Sequence, residues 1–570
     1  MQLPNHRKKY NLDEMMNRYK IVYQFQEYLK ILNQTSENVS KNWNQAVSKL
    51  PNLFHNKSIA DGDSNESNPN TPNRSKNEVK DESSSTVRAK DVAKIEKKDS
   101  TYKLPLIGGW RSKQFSNAEI ERKDSVPKWK TDVTIASSAD VLSRTKQLLF
   151  LIDKAESVQS RVKRIEDLIA FISQNSDARL MAVKNGAIKK LLHIKRRTKD
   201  STTHQILREA FALLGHVDSL PNKGIRILTV DGGGIRGIAV VDMLRKLEEL
   251  TGKRIYELFD YICGVSTGSI LVSCIGTPRG LTMQEADIMY TEFGTKLFTQ
   301  SAFWGVGNLV LNRAYYDTTM FEQLLKRFVG ETPLIKTNRD ANCPKLASVS
   351  TVMNRSSIMP FVFRNYSLPY DRQSQYIGSC KYSLYESVRA SGAAPTVFQE
   401  FCLDGIIHQD GGILVNNPCA VAIHEAKLLW PNSEIQCVVS CGTGRRAPTA
   451  VAAYSSEAVN KASSVSWKTL IHRILESATD TEAVHTMCND LLPPNVYFRF
   501  NPYLTDVIPM HEIRSDKVAQ LREETGLYIR KNEEKFVDAA TSLLVKRTAS
   551  QRIRDFVEAK YLEYGLNKST

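Results

Sequence analysis

The part of the chain from Gly224 onward is predicted to form an α/β fold, a sheet covered by helices. The β-branched run "GIRILTV" is followed by a glycine loop and then by apolar residues at helical spacing, Ile238, Val241, Leu244 and Leu247. A second apolar run, "LFDYIC", leads through a sharp turn into the apolar segment "SILVSCIG". Later runs, "KLASVST", "FVFRNY", "GIIHQDGG" and "EIQCVVSCGTG", are predicted strands, and helical stretches such as "VAIHEAKLLW" separate some of them. Strands that alternate with helices predict a sheet layered by helices.

The first 130 residues are predicted to be a basic, largely disordered region with one amphipathic helix. Met15, Val22 and Leu29 are a heptad apart, so this helix would either anchor the chain on acidic lipid or dock on the rest of the protein. From about His55 to about Lys130 polar residues dominate. Such a segment buries too little apolar surface to fold on its own.

Residues 131–222 are predicted to form an all-helical module. Two apolar stripes at helical spacing support it: Ile165, Leu168, Ile169 and Ile172, and then Leu207, Ala210, Phe211 and Leu214. The segments "NGAIKKLLHI" and "REAFALLGHV" are similar to armadillo-type repeats, and a plain helical bundle is the alternative. The α/β domain is then predicted at residues 223–422, and an α-rich part with the strand "NVYFRF", residues 423–570, completes it.

The composition is that of a globular protein with polar tracts, with 41% hydrophobic and 25% charged residues. Its net charge of +16 lies mostly in residues 1–220, which hold 39 Lys and Arg against 26 Asp and Glu. This excess favours an anionic membrane surface or nucleic acid as a partner, and it equally suits a solvated disordered region. Because the sequence has no nucleic-acid recognition motif, nucleic acid is not expected.

Two further features concern membranes and metals. The longest apolar stretch, Tyr261 to Ile275, is shorter than the roughly 18 residues that a membrane span requires, so membrane contact is expected to be peripheral. All nine cysteines lie between Cys263 and Cys488 without a C-x-x-C pair or metal-ligand spacing. This usage predicts a reduced, intracellular protein with no metal site.

The first motif is "DGGGIRG", in which Gly232, Gly234 and Gly237 form a G-x-G-x-x-G pattern between a predicted strand and helix. Unhindered backbone N–H groups at a helix N-terminus suit either a phosphate cradle or the oxyanion hole of an acyl-transfer enzyme. A dinucleotide site also requires an acidic residue at the end of the next strand, whereas Asp260 lies inside "LFDYIC". The motif alone leaves both interpretations open, beside a glycine turn without a function.

The second motif is "GVSTG", Gly264 to Gly268, a G-x-S-x-G pattern. Ser266 would lie on a strained turn from strand to helix, where the two glycines allow the backbone to bend and the helix N-terminus stabilises negative charge. A pentapeptide of this kind also arises by chance, roughly once in ten chains of this length. Its place between "LFDYIC" and an apolar helix favours Ser266 as a nucleophile.

The third motif is "QDGG", with Asp410 after the predicted strand "GIIH". A serine hydroxyl needs a base to take its proton, and that base is either a histidine in a triad or a carboxylate in a dyad. Asp-Gly is also common in turns, and Asp404 precedes a glycine as well. The candidate triad bases are His408, His424 and His485, so on these residues alone the dyad and the triad are equally good predictions.

The three motifs, in this order, resemble the patatin-like phospholipase family, which has a glycine-rich oxyanion loop, a G-x-S-x-G nucleophile and a D-G-G or D-G-A base. Longer segments are similar to its calcium-independent phospholipase A2 gamma type, among them "FDYICGVSTG", "HQDGGILVNNP" and "LLPPNVYFRFNP". The resemblance implies a central sheet sandwiched by helices. It also implies hydrolysis of acyl esters of membrane glycerophospholipids to lysophospholipid and fatty acid, with neither calcium nor another cofactor.

Carried over by position, the resemblance assigns Ser266 as the nucleophile and Asp410 as the base, without a histidine. The oxyanion donors are then the backbone N–H groups of the loop, Gly232, Gly233 and Gly234. Arg236 would either order this loop or bind substrate phosphate, and loop ordering is favoured because an arginine inside a tight turn usually serves its own backbone.

Other functions would use the same residues. A triacylglycerol lipase or an acyltransferase shares this chemistry, whereas a nucleotide- or lipid-binding scaffold would use the glycine loop or the basic N-terminal half without catalysis. The resemblance implies mitochondrial, endoplasmic reticulum or peroxisomal membranes as the location. The final "NKST" differs from the peroxisomal S-K-L, and Asp13 and Glu14 fit a mitochondrial transit peptide poorly.

Overall fold

The structure is a computed structural model that describes residues 137–299, 315–446, 481–506 and 508–564. The predicted amphipathic helix and disordered stretch of residues 1–130 lie outside the described residues. Among the helices that are described, each is too short or too polar to cross a bilayer.

From residue 137, where the described structure begins, five helices form the N-terminal module: α1 Ser138–Asp153, α2 Val158–Gln174, α3 Ser176–Lys184, α4 Ala187–Arg197 and α5 Ser201–Leu214. Side chains cap three of these N-termini, since Ser137 forms a capping box with Asp140, the Ser157 Oγ accepts a hydrogen bond from the Ser160 N–H, and Asp200 accepts one from the Thr203 N–H. Both predicted apolar stripes, on α2 and α5, are fully buried in the core of this module. The helical periodicity of the sequence thus marked the faces that pack inward.

In the described part of the chain, nine strands form one mixed sheet: β1 Ile225–Val230, β2 Tyr261–Val265, β3 Lys345–Val352, β4 Met359–Arg364, β5 Ile377–Ser379, β6 Phe401–Leu403, β7 Ile406–Asp410, β8 Ile435–Cys441 and β10 Tyr497–Phe500. Their order is β10-β8-β1-β2-β3-β4-β5, and β7 pairs with both β3 and β6. A small separate pair is formed by β9 Arg445–Arg446 and β11 Tyr503–Leu504. The five strands from β10 to β3 run parallel, and β4 and β7 run antiparallel to β3.

Helices cover both faces of this sheet. They are α6 Gly237–Thr251, α7 Ile255–Leu258, α8 Thr267–Ile275, α9 Met283–Leu297, α10 Thr318–Phe328, α11 Leu384–Ser391, α12 Cys419–Leu429, α13 Thr481–Leu491, α14 Ser515–Lys531 and α15 Glu533–Leu544. The last described helix, α16 Ala549–Tyr564, packs against α4 of the N-terminal module. Along β1, Leu228 and Val230 belong to one core cluster, whereas Ile225 and Ile227 belong to another that includes Val421 of α12. The alternation shows that both faces are buried, which confirms the predicted α/β sheet sandwiched by helices.

The predicted strand "LFDYIC" is shorter in the structure. Its first residues end the short helix α7, and β2 begins only at Tyr261. Asp260 precedes the strand because it pairs with Arg226: the Arg226 Nη2 donates to Asp260 Oδ1 at 2.7 Å, and the Asp260 N–H donates to the Arg226 carbonyl at 2.9 Å. This carboxylate lies where the strands start and is engaged by a buried arginine, so it is not a ribose ligand at a strand end.

Candidate active site

The sheet register brings two distant motifs together. β2 pairs with β3 up to Val265, which lies opposite Val349. β7 then continues along the same edge of β3, with Asp410 opposite Ser350, since β4 occupies the other edge. The residue that follows Val265 is Ser266, so the pairing places it next to Asp410. This is the carboxyl end of the parallel strands, where ligands bind in open α/β sheets.

Ser266 lies on the sharp turn between β2 and α8, with φ 53° and ψ −123°. Such a backbone conformation costs about 1–3 kcal/mol in a residue other than glycine, and it persists only where the surroundings enforce it. The flanking glycines permit the turn: a Cβ on Gly264 would lie 2.4 Å from the Gly268 carbonyl oxygen, and one on Gly268 would lie 2.3 Å from that of Val230. The G-x-S-x-G spacing therefore reflects close backbone packing beneath the serine.

A buried serine outside the motifs holds this turn in place. Ser391, the last residue of α11, accepts a hydrogen bond from the Ser266 N–H at 2.9 Å, and its own hydroxyl donates to the Val349 carbonyl at 2.6 Å. The turn is thereby tied to β3. Sequence reasoning missed Ser391 because the segment "RASGAAP" has no spacing that distinguishes this serine.

Ser266 and Asp410 are in direct contact. The Ser266 Oγ donates to Asp410 Oδ2 at 2.6 Å, and the Gly412 N–H donates to Asp410 Oδ1 at 2.8 Å. Asp410 is only 6% exposed, and burial raises its pKa to about 6 even though both hydrogen bonds act to lower it. The carboxylate is thus fixed on both oxygens and has a pKa near neutrality, as suits a general base.

The three candidate histidines have other partners. His408 is buried against Phe361 and Phe363, its Nδ1 lies 2.9 Å from the Ser350 Oγ, and burial lowers its pKa to about 4. His424 Nε2 accepts from the Gln375 N–H at 3.2 Å. His485 Nδ1 lies 3.3 Å from the Tyr497 hydroxyl. Among the described residues, none of the three forms a hydrogen bond with Ser266 or Asp410.

The glycine loop follows β1 and lies beside Ser266. A Cβ on Gly232 would lie 3.1 Å from the Ser266 Cβ, and one on Gly233 would lie 2.1 Å from the Thr443 Oγ1. Gly234 has φ +59°, and the next amide, of Ile235, donates to the Met510 carbonyl at 2.9 Å. The loop is therefore packed from several sides and tolerates no side chain.

The three N–H groups predicted to hold the oxyanion differ in whether they already have a hydrogen-bond acceptor. The Gly232 N–H donates to the Asn416 carbonyl over a long 3.4 Å, whereas within the described ranges the N–H groups of Gly233 and Gly234 have no acceptor. An oxyanion hole needs N–H groups without another acceptor, so the set of predicted donors is reduced to Gly233 and Gly234. Arg236 Nε donates to the Gly233 carbonyl at 3.3 Å, which favours loop ordering as its role.

A buried ion pair supports the loop from below. Arg499 of β10 donates from Nη1 to Asp231 Oδ1 at 3.0 Å and from Nη2 to Asp231 Oδ2 at 2.6 Å, and both side chains are buried. The pair joins the end of β1 to a strand 268 residues further along the chain. Sequence reasoning missed this partner, although an arginine inside the apolar run "NVYFRF" signals a buried charge that needs one.

Known proteins are similar to the part of the chain that contains this site. Residues 228–423, which include both motif residues Ser266 and Asp410, match the family described as patatin-like phospholipase. The chain is 41% identical over 427 residues to the calcium-independent phospholipase A2-gamma of Oryctolagus cuniculus, a match that covers 75% of this chain and 53% of that protein. The Homo sapiens protein of the same name is 40% identical over 446 residues, covering 78% and 55%.

A plant protein is a more distant relative. Phospholipase A I of Arabidopsis thaliana is 29% identical over 511 residues, a match that covers 77% of this chain and 38% of that protein. The chain spans about half the length of the mammalian relatives it matches. The matched segment contains the glycine loop, the serine turn and the aspartate strand in one continuous α/β unit, and residues 228–423 are a patatin-like phospholipase domain.

Proposed function

We propose that the protein is a calcium-independent phospholipase that hydrolyses acyl esters of membrane glycerophospholipids to lysophospholipid and free fatty acid. The observation that carries the proposal is the 2.6 Å hydrogen bond from the Ser266 Oγ to Asp410 Oδ2 at the carboxyl end of the sheet. The patatin-like phospholipase domain and the names of the mammalian relatives support the same substrate class.

The reaction begins at the serine. The Asp410 carboxylate accepts the Ser266 proton while Oγ attacks the ester carbonyl carbon. The negative charge that develops on the carbonyl oxygen is stabilised by the N–H groups of Gly233 and Gly234, which lie at the start of α6. Because Ser391 and the two turn glycines already fix the serine, little reorganisation is needed at this step.

The tetrahedral intermediate collapses to an acyl-enzyme, which water then hydrolyses. The lysophospholipid alkoxide leaves and takes the proton from Asp410, and an acyl ester remains on Ser266. Water then attacks this ester and gives a proton to Asp410. When Ser266 leaves as the alkoxide it recovers that proton, so the fatty acid departs and the carboxylate is restored.

Because the substrate is part of a bilayer, we place the enzyme at a membrane surface by peripheral contact. The basic residues 1–130, with 24 Lys and Arg against 16 Asp and Glu, supply the charge for this contact. Mitochondrial, endoplasmic reticulum and peroxisomal membranes are the proposed locations, from the resemblance alone.

Ser266→Ala tests the nucleophile. We expect no hydrolysis of phosphatidylcholine vesicles and no labelling by a fluorophosphonate probe, because the acyl-enzyme cannot form. Ser273→Ala is the matched control, since Ser273 lies on the same helix α8 two turns away. Lipid turnover that persists in folded Ser266→Ala protein would overturn the assignment. Fatty acid released from vesicles distinguishes a phospholipase from an acyltransferase, which would transfer the acyl group to a second lipid.

A further inference from the structure

The helical module contains a cavity of about 620 Å³. It lies between the C-terminal end of α1, the start of α2 and one face of α4. This volume is within the range of roughly 300–1,000 Å³ typical of small-molecule sites. None of its lining residues belongs to the serine site described above.

Basic side chains dominate the walls of this cavity. α4 contributes Lys189, Lys190, His193 and Arg197, which recur at helical spacing and therefore share one face. Arg161 adds a guanidinium from α2 and is held by a hydrogen bond from its Nη2 to the Ala155 carbonyl at 3.3 Å. Among the lining residues Asp153 is the acid, and it forms an ion pair with Lys190. Among the described lining residues, four Lys and Arg side chains thus outnumber the one carboxylate, that of Asp153.

This basic lining favours a negatively charged ligand. Like charges in one cavity repel each other, and a ligand with two or more negative charges removes that repulsion. Arginine and lysine both bind phosphate through charge-assisted hydrogen bonds. The N-cap of α4 is Gly186, which lines the cavity without a capping side chain, so the positive end of the helix is directed there as well. Ile194, which is partly exposed, provides apolar contact for a carbon skeleton.

The cavity lies in the helical module, which packs at the end of the sheet opposite Ser266. α5 packs where the strands start, since Arg208 Nη2 donates to the Arg339 carbonyl at 2.6 Å just before β3, and the Ser367 N–H donates to the Ala212 carbonyl at 2.9 Å. Ser266 lies at the opposite, carboxyl end of the strands, roughly 20 Å away along a six-residue strand.

We propose that this cavity is a second ligand site, for a small soluble molecule that carries phosphate groups. A phospholipid head group offers the same chemistry, but the separation of the two ends of the sheet favours the soluble source. The site is independent of the acyl chemistry, so its ligand regulates or locates the protein without being hydrolysed.

The test compares two charge reversals by titration calorimetry with inositol trisphosphate. Lys189→Glu/Arg197→Glu changes the cavity wall, and Lys146→Glu/Lys184→Glu makes the same change in net charge elsewhere on the module. All four side chains are exposed, so both variants should fold. We expect the cavity variant to bind at least about tenfold more weakly than wild type and the control to change less than about twofold. Equal weakening in both, or no binding by the wild-type chain, overturns the proposal.

A lipid arm distinguishes the two sources of phosphate. Flotation with phosphatidylcholine vesicles containing phosphatidic acid, in a Ser266→Ala background that leaves the lipid intact, should give equal binding for the two reversals. Loss of vesicle binding in the cavity variant, with inositol trisphosphate binding unchanged, overturns the proposal in favour of a bilayer contact. Phospholipid hydrolysis by both reversals should match wild type, so failure of the proposed enzyme activity would be seen separately.

Discussion

At the residue scale, burial and hydrogen bonding act on Asp410 in opposite directions. Removal from water disfavours the charged carboxylate, whereas the Ser266 hydroxyl and the Gly412 N–H stabilise it, and the net pKa is about 6. Only the deprotonated form of Asp410 accepts the serine proton, so activity is present above this pKa and is lost as pH falls through it.

We therefore expect kcat/KM to decrease about tenfold between its plateau and pH 5, one unit below the pKa. The measurement is a pH profile with a short-chain ester in solution, which avoids changes in vesicle charge. The free energy of unfolding changes with pH in the opposite direction. The folded state holds the Asp410 proton more tightly than an unfolded aspartate does, so the buried charge destabilises the fold as pH rises from about 4 to 6. A profile that is flat down to pH 5 would contradict the role of Asp410.

The sequence alone identifies Ser266 more clearly than it identifies Asp410. Ser266 is recognisable locally, because strand, glycine turn and apolar helix are adjacent in the chain. Asp410 stands in a common turn sequence, and only the resemblance separated it from three histidines. Ser391 and Arg499 were missed because each acts on a residue more than a hundred positions away, through pairings that a local pattern does not encode.

At the element scale, the strands and helices were largely predictable and their pairing was not. The period of apolar residues identified β1, α6 and α8 because it is a local property. β7 pairs antiparallel with β3 directly beyond the end of β2, after a segment of more than fifty residues that contains β4, β5, α11 and β6. It is this pairing that brings Asp410 to Ser266.

The glycine loop provides the element-scale prediction. Gly233→Ala would place a Cβ 2.1 Å from the Thr443 Oγ1, so the loop must move and its amides lose their alignment. We expect kcat to fall by about 100-fold or more, as for loss of an oxyanion donor. The measurement is vesicle hydrolysis together with urea unfolding.

Gly526→Ala is the control for that substitution. It lies inside α14, and its Cβ would meet only the Arg530 Nη1 at 3.6 Å. Activity should be unchanged and the free energy of unfolding should rise by roughly 0.5–1 kcal/mol. Wild-type turnover in Gly233→Ala would show that the loop does not hold the oxyanion.

At the scale of the whole molecule, the proposed ester hydrolysis and the proposed ligand binding are located at opposite ends of the sheet. The serine site lies where the parallel strands finish, and the helical module packs where they start. Sequence patterns predicted the module and the α/β domain as consecutive units, but which end of the sheet the module contacts depends on tertiary pairs such as Arg339 with Glu209.

The basic N-terminal region gives the whole-molecule prediction. A chain that begins at residue 131 should bind vesicles containing phosphatidic acid at least about tenfold more weakly than the full chain, since each cation near an anionic surface contributes about 1 kcal/mol. Vesicle sedimentation at low and high salt measures this, and the difference should shrink as salt increases. Equal binding by both forms would rule out the proposed anchor.

We propose that Asp410, without a histidine, is the base for Ser266. The most direct measurement is the hydrolysis rate of Asp410→Asn beside those of His408→Gln, His424→Gln and His485→Gln, with folding checked by circular dichroism. We predict a loss of about 10²–10⁴-fold for Asp410→Asn and retention of most activity in the three histidine variants. A folded histidine variant as inactive as Asp410→Asn, or an active Asp410→Asn protein, would contradict the account.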